Sequence, residues 1–200
     1  MIVMSNAFPI DGEVNTMRQL LELGVMLHIR KPLIDKAELA KLIGALGTEY
    51  LSQIVLHQQH SLAPELGIDR LHLNSQHRPN IAEQTSIDKY KYSTSTHDIN
   101  EFNALCDRWN YAFLSPMYPS LSKPGYGVSN SVKHQLSDRL NKRVKLIALG
   151  GIDRHNMVEV LSLGADDIAL LGAIWQEKQP IQYALKCQQI LRNIQCQQDY

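Results

Sequence analysis

The chain has 200 residues, 44% of them hydrophobic, which suits one globular domain with a single core. Its formal net charge is +0, so no long-range field attracts nucleic acid or an anionic membrane, and any bound anion must be held by local contacts. The three cysteines, Cys106, Cys187 and Cys196, are odd in number and lack CxxC spacing, which argues against a disulfide framework and a structural zinc site.

Targeting and membrane signals are absent from the sequence pattern. The opening segment, MIVMSNAFPIDGE, has no basic leader, and no stretch reaches the roughly 18 apolar residues that a membrane span needs. The unpaired cysteines suit a reducing compartment. These features predict a cytoplasmic protein with no membrane or nucleic-acid partner.

Short apolar runs alternate with segments of helical spacing along the chain. Apolar residues three and four positions apart predict helices over Glu13–Leu23, Asp35–Leu46, Asp98–Cys106 and Asn156–Leu163. The predicted strands are Met1–Ser5, Val25–Arg30, Ile54–His57, Arg70–Leu73, Tyr90–Ser95, Tyr111–Ser115, Val144–Leu149 and Asp167–Leu171. Eight such units favour a single compact α/β domain over residues 1–200, a TIM (β/α)8 barrel, with an open doubly wound sheet as the alternative.

Two polar side chains stand near the end of the second predicted strand. Alternation along Leu27-His28-Ile29-Arg30 directs His28 and Arg30 to one face, which we assign to the barrel interior. At the carboxyl end of a barrel strand they would face the mouth, where an arginine can bind phosphate. The alternative is an arginine in a surface ion pair.

The longest predicted connection, Ser115–Asn130, offers a second set of phosphate-binding groups. Ser120 and Ser122 present two hydroxyls in an extended segment, and Lys123 adds an ammonium group, a combination suited to the several oxygens of a diphosphate. A solvated turn is the alternative for this segment.

Glycines follow the last two predicted strands. Gly150-Gly151 comes directly after an apolar strand, and Gly172 follows the final strand. Backbone N–H groups at such places bind phosphate in many TIM barrels because no Cβ obstructs the anion. Tight turns alone would also explain these glycines.

Histidines cluster near the predicted ends of strands two to five. They are His28, His57, His60, His72, His77 and His97. The carboxylates that accompany a hard cation are missing nearby, and His57-Gln58-Gln59-His60 has no zinc-ligand pattern. We therefore expect these side chains to line the barrel mouth rather than to bind a metal.

Seven segments, in order and spacing, resemble the thiamine phosphate synthase/TenI family over nearly the whole chain. They are LHIRKP at 27–32, VLHQQHSLA at 55–63, GIDRLHLNS at 67–75, STSTH at 93–97, YAFLSPMYPSLSK at 111–123, ALGGI at 148–152 and GADDIALLGAI at 164–174. The resemblance implies a TIM barrel. Synthase members of this family join hydroxymethylpyrimidine diphosphate to thiazole phosphate and release diphosphate.

The resemblance also implies site residues. Arg30, Lys123 and Ser95 are the implied catalytic residues, Ser95 matching a serine beside the reacting groups. The implied substrate-binding residues are His28, His57, Ser120, Ser122, Gly151, Leu171 and Gly172, the last three through their backbone.

Three departures from the family pattern concern charged residues. The Asn-Asp motif after strand three is His57-Gln58 here, and the aspartate after strand four aligns with His77. The lysine just past Arg30 aligns with Pro32. The family's aspartates hold Mg²⁺, so the resemblance implies Mg²⁺ as cofactor while Gln58 and His77 occupy its ligand positions. Either imidazolium replaces some of that charge, or Mg²⁺ arrives bound to the substrate.

The first interpretation is therefore a thiamine phosphate synthase, a transferase acting on small phosphorylated substrates in thiamine biosynthesis. The second is a TenI-like binding or regulatory protein that keeps the phosphate pocket without turnover. The third is a thiazole tautomerase acting through His28, His57 or His97, although the tautomerase histidine aligns with Pro116. Family members are commonly oligomeric, so a homo-oligomer stays open.

Overall fold

The computed structural model describes residues 1–78, 89–119 and 130–198. Its strands are β1 Ile2–Met4, β2 Met26–Ile29, β3 Ile54–Leu56, β4 Arg70–Leu73, β5 Lys91–Thr96, β6 Trp109–Leu114, β7 Lys145–Leu149 and β8 Asp167–Leu170. All pair in parallel with their neighbours in chain order, and β8 pairs with β1, which closes the sheet. The predicted TIM barrel is confirmed, and the open sheet is excluded.

Helices surround the barrel. They are α1 Glu13–Glu22, α2 Lys36–Leu46, α3 Ala63–Leu66, α4 Ile99–Asn103, α5 Met157–Ser162, α6 Gly172–Trp175 and α7 Pro180–Gln198. Among residues 1–78, 89–119 and 130–198, 3-10 helices cover Thr48–Gln53, His60–Leu62, Ser75–His77 and Lys133–Asp138. In the described ranges, no helix is both long enough and apolar enough to cross a membrane.

Local capping explains where two helices begin. The Asp35 carboxylate accepts a hydrogen bond from the backbone N–H of Glu38, 2.8 Å away, and the Glu38 side chain returns to the Asp35 N–H. Asp98 accepts in the same way from the N–H of Glu101 at 2.8 Å. These bonds satisfy N–H groups that the first turn of a helix leaves without a backbone partner.

Side-chain alternation divides the apolar residues of the strands between two layers. Odd-numbered residues of β2, such as Leu27 and Ile29, pack outward against the helices in the larger core. A second cluster fills the barrel interior and comprises Ile2, Met4, Tyr111, Phe113, Ile147 and Ala169. The inner surface contributed by β1, β7 and β8 is therefore apolar.

Arg139 links the segments that directly precede β7 and β8. Its guanidinium donates to the carbonyls of Gly164 at 2.8 Å and Val144 at 3.0 Å, and to the Asp166 carboxylate at 2.6 Å. Asp166 in turn accepts the N–H of Leu146 at 2.7 Å. The arginine side chain is only 4% exposed, so these donors have few alternative partners in solvent.

We expect Arg139→Met to lower the free energy of unfolding by about 3 kcal/mol, because it removes the donor to the Gly164 and Val144 carbonyls and the cation paired with Asp166. Arg143→Met is the matched control. Arg143 pairs with Asp107 at 4.0 Å with both side chains exposed, so it should cost less than about 1 kcal/mol. Urea denaturation followed by circular dichroism measures both, and equal losses would contradict the assignment.

Candidate active site at the barrel mouth

Four of the expected site residues follow the carboxyl ends of strands. Arg30 comes after β2, His57 after β3, Gly151 after β7 and Gly172 after β8. Because all strands run parallel in one closed sheet, these residues share one end of the barrel. Only β1 separates β8 from β2, so Gly172 and Arg30 lie on neighbouring parts of the rim.

Polar rings occupy the barrel interior beside β2, β3 and β6. His28 is fully buried, with its Nδ1 2.8 Å from Nε2 of His57 and its Nε2 2.7 Å from the hydroxyl of Tyr111. The ring of His57 stacks on that of His72 with centroids 4.1 Å apart. The inward orientation that alternation predicts for His28 is thus present, and three histidines from separate strands meet at one point.

His72 links this cluster to β5. Its two ring nitrogens lie 3.0 Å from the hydroxyl of Ser93 and 3.1 Å from that of Ser95. Ser95 is partly exposed and ends the inner face of β5 at the mouth. The serine expected beside the reacting groups is therefore oriented by a buried imidazole.

Burial keeps all three imidazoles neutral. It lowers the pKa of His28 and of His57 well below the ordinary value, and the neighbouring His72 adds to this effect at both. Burial, reinforced by the charges of His60 and Arg30, lowers the pKa of His72 to about 3. Burial also raises the pKa of Tyr111. The polar side of the barrel interior therefore carries no charge near pH 7.

Arg30 provides positive charge above this neutral interior. Its side chain is exposed at the mouth, and its guanidinium contributes to the low pKa of both His57 and His72. Within residues 1–78, 89–119 and 130–198 it forms no ion pair, so the surface-pair alternative has no partner there.

Lys31, beside Arg30, is paired with Glu13 at the start of α1. Its ammonium group lies 2.6 Å and 2.7 Å from the two carboxylate oxygens of Glu13 and 3.2 Å from the carbonyl of Phe8. Both side chains of the ion pair are buried. Sequence reasoning did not identify this pair, and Lys31 does not replace the family lysine that is missing at Pro32.

The family's magnesium positions hold poor ligands for that ion. The Gln58 amide donates to the Lys31 carbonyl at 2.7 Å, which ties together the loops after β2 and β3. His77 ends a 3-10 helix, and its side chain lies outside the described part of the structure. Mg²⁺ prefers carboxylate and water oxygens, so the Gln58 position does not fit it.

The glycine turn after β7 serves the packing of the next loop. Gly151 has a φ of +62°, and a Cβ there would lie 2.3 Å from the Pro119 carbonyl and 2.7 Å from Cβ of Tyr118. Backbone bonds from Met117 to Leu149 and from Tyr118 to Gly150, each 3.0 Å, hold that loop in place. The Cβ direction at Gly151 is thus occupied by the chain after β6, so close packing of this loop requires the glycine.

The backbone amides themselves remain available on this side of the rim. The structure gives the amide nitrogens of Gly151 and Gly172 no acceptor among the residues that it describes. Leu171 precedes α6 and accepts N–H bonds from Ile174 and Trp175. Ser120, Ser122 and Lys123 lie outside the described residues.

We predict that removing the charge of only one partner of the Lys31–Glu13 pair strongly lowers the free energy of unfolding. Glu13→Gln leaves a buried ammonium without its counterion and should lower the free energy of unfolding by about 3 to 5 kcal/mol. The double variant Glu13→Gln/Lys31→Met should recover most of this loss, because no buried charge remains. Glu65→Gln, at the exposed Lys36 pair, is the control and should cost less than about 1 kcal/mol. Chemical denaturation decides, and failure of the double variant to recover would contradict the argument.

We also predict that Gly151→Ala destabilises the mouth. The left-handed backbone and the contact with Pro119 should together cost about 2 kcal/mol or more. Gly44→Ala, on the exposed face of α2 with nothing within 4 Å, should instead stabilise by about 0.5 to 1 kcal/mol. Thermal unfolding of the two variants should therefore shift in opposite directions.

Comparison with known proteins supports the expected resemblance. Residues 1–174 match the family described as thiamine monophosphate synthase. The thiamine-phosphate synthase of Listeria monocytogenes is 27% identical over 146 residues, which cover 70% of this chain and 67% of the relative. That of Anoxybacillus flavithermus is 30% identical over 148 residues, covering 70% and 66%. The matches thus span about two thirds of the relatives' length.

A solved structure extends the likeness of fold. Thiamine phosphate pyrophosphorylase from Bacteroides thetaiotaomicron superposes with a TM-score of 0.79 at 23% identity, over 96% of this chain and 97% of that one. The same barrel therefore underlies both proteins. Because the family match covers most of the sequence, the chain belongs to the thiamine monophosphate synthase family.

Proposed function

We propose that the protein is a thiamine phosphate synthase, a transferase that joins hydroxymethylpyrimidine diphosphate to thiazole phosphate in thiamine biosynthesis. The observation that carries the proposal is the family match over residues 1–174 combined with an exposed arginine above a neutral, ring-lined barrel mouth. A cytoplasmic location and small phosphorylated substrates belong to the same proposal.

The diphosphate would lie against Arg30. Its guanidinium offers several N–H donors in a fixed fork, and it has no competing carboxylate among the described residues. Lys123, Ser120 and Ser122 would contact further diphosphate oxygens. As the bond to the pyrimidine methylene breaks, the bonding electrons leave with diphosphate. The cationic groups of Arg30 and Lys123 offset the growing negative charge.

The pyrimidine cation that remains would face the imidazoles. Because burial lowers the pKa of His28, His57 and His72, these rings present neutral nitrogen and no repelling positive charge. The thiazole nitrogen then donates its electron pair to the cation. No covalent bond to the protein is needed, so the chain contributes position and charge.

The thiazole phosphate would lie on the neighbouring, apolar part of the rim, after β7 and β8. The backbone amides of Gly151 and Gly172, with Leu171 between β8 and α6, would hold its phosphate. Ser95, held by His72, would stand between the two substrates. Mg²⁺ would come to the site with the diphosphate, since Gln58 offers it no carboxylate.

Incubation of the purified chain with both substrates and Mg²⁺ should yield thiamine phosphate and diphosphate. Arg30→Gln should lower kcat/KM by about 10² to 10³, the loss typical of a group that stabilises developing charge. Arg192→Gln, on the exposed surface of α7, should leave the rate unchanged. Liquid chromatography of thiamine phosphate measures all three.

The result that would reject the proposal is absence of product where an authentic synthase is active. The missing carboxylate at Gln58 then favours the second candidate, a binding protein without turnover. Calorimetry with thiazole phosphate or thiamine phosphate separates the two, because a binding protein retains affinity while forming no product.

A further inference from the structure

Three imidazole nitrogens lie close together in the barrel mouth, and the transfer reaction does not need this arrangement. His28, His57 and His72 each bring one ring nitrogen within 4.8 Å of the other two. Nδ1 of His28 and Nε2 of His57 are already 2.8 Å apart. A tetrahedral ion with metal–nitrogen distances of about 2.0 to 2.1 Å holds its ligand nitrogens about 3.3 Å apart. Bringing the three nitrogens around one ion therefore needs shifts of about 1 to 1.5 Å, together with rotation of the His57 ring out of its stack on His72, because a bound ion lies in the plane of each imidazole.

The position of His57 makes that adjustment feasible. His28 and His72 lie within β2 and β4 and are held by the barrel, whereas His57 is the first residue after β3. His57 is also the partly exposed member of the set, on the solvent side of the other two. Two ligands are thus fixed, and the third lies on the side from which an ion would enter.

Hydrogen bonding on the far side of His28 prepares it as a ligand. The Tyr111 hydroxyl lies 2.7 Å from Nε2 of His28 and 3.3 Å from Sδ of Met26. In the tautomer with its proton at Nε2, His28 donates to that hydroxyl, and Nδ1 carries the lone pair and faces His57. A metal-binding histidine is oriented in this way by a partner on its second nitrogen.

His72 is prepared in the same manner. The Ser93 hydroxyl lies 3.0 Å from Nδ1 of His72 and 3.5 Å from the Leu71 carbonyl, so it can accept an N–H at Nδ1. In that tautomer the lone pair at Nε2 of His72 accepts from the Ser95 hydroxyl at 3.1 Å. An arriving ion would displace that bond and the bond between His28 and His57.

The ligand set determines the class of ion. Within the described residues the cluster contains imidazoles and no carboxylate, which suits zinc-like ions and not Mg²⁺ or Ca²⁺. We propose that His28, His57 and His72 form a binding site for a divalent transition-metal ion of the Zn²⁺ type, separate from the family's magnesium positions.

Three neutral ligands leave the bound ion with its full charge and an open position, so the zinc-bound state and the state in which these rings face a pyrimidine cation exclude each other. Open zinc sites typically take water or a substrate oxygen there. The open side is the mouth, next to Arg30, so an anionic oxygen is the expected fourth ligand. Its identity as a phosphate oxygen of the substrate rests on the proposed function, whereas binding of the ion does not.

The test uses the full chain without a histidine tag, stripped by a chelator. Calorimetry should show one Zn²⁺ per chain at this site and much weaker binding of Mg²⁺. X-ray absorption at the zinc edge should show imidazole nitrogen at about 2.0 to 2.1 Å and no sulfur at about 2.3 Å. Sulfur ligands, which would implicate cysteine, or Zn²⁺ binding no tighter than Mg²⁺ binding would overturn the proposal.

Variants test the individual ligands. His57→Asn should weaken Zn²⁺ binding at least about 100-fold, and Tyr111→Phe, which removes only the hydroxyl behind His28, about 10- to 100-fold. His134→Asn, at an exposed histidine outside the cluster, is the control and should bind as the parent does. Unchanged affinity in both test variants would contradict the assignment. Circular dichroism checks folding, and the zinc-edge measurement on the parent chain decides if His57→Asn does not fold.

Inorganic diphosphate separates this proposal from the proposed function. Zn²⁺ is titrated into the chain with and without diphosphate, and neither titration depends on turnover. A chain that binds Zn²⁺ but is inactive therefore rejects the proposed synthase function and not the metal site. With Co²⁺ in place of Zn²⁺, diphosphate should change the visible absorption by entering the open position. An unchanged Co²⁺ spectrum would reject the anionic fourth ligand, and loss of zinc binding with retained synthase activity would reject the metal site alone.

Discussion

The hydrogen-bonded imidazoles inside the barrel determine how the mouth is built. A closed eight-stranded barrel must fill its interior with side chains, and apolar residues usually do so. Here His28 and His72 take that place, and each has a partner at both ring nitrogens. Because an unpaired polar atom at this depth would be costly, the network keeps the rings in one arrangement. Ser95 and His57, at the end of this network nearest the mouth, are held in position by it.

This interior has two chemically different sides. The strands β2 to β6 contribute imidazole, hydroxyl and phenol groups, whereas β7, β8 and β1 contribute Ile147, Ala169 and Ile2. The rim repeats the division, with Arg30 after β2 and glycine amides after β7 and β8. Two substrates with different charges can therefore be told apart by position, since a diphosphate and an aromatic phosphate would meet different surroundings.

The periodicity of the sequence was sufficient for the barrel and for part of its lining. Every predicted strand overlaps an observed one, and alternation alone placed His28 inside the barrel. The helix α7 was not predicted, because its buried residues Tyr183, Ala184 and Cys187 form only a short apolar face among many glutamines. The predicted helix Asp98–Cys106 ends early, at Asn103, where the chain turns toward β6.

Contacts between strands could not be predicted from the local sequence pattern. The meeting of His57 with His28 depends on the register of β2 and β3, in which His28 pairs with Val55. Neither residue signals its partner, and the absence of zinc-type spacing between them argued against the cluster that the structure shows. The use of Gly151 was hidden for the same reason, since the loop that contacts it comes from another strand. Spacing rules describe ligands within one segment, whereas a barrel collects one ligand from each of several strands.

Charge at the mouth follows from these placements. The chain lacks the family lysine at Pro32, and Lys31 is neutralised by Glu13 in a buried ion pair. It also lacks the carboxylate at Gln58, so the mouth loses groups of both signs. Carboxylates near a diphosphate need a metal ion to offset their repulsion, and imidazoles that burial keeps neutral do not. In the proposed function, replacing Asp by Gln and Asn by His would therefore let an anion approach Arg30 without a magnesium ion held by the protein. The departures from the family pattern are in this sense coupled, because a mouth without the carboxylate at the Gln58 position has less need of a magnesium ion held by the protein.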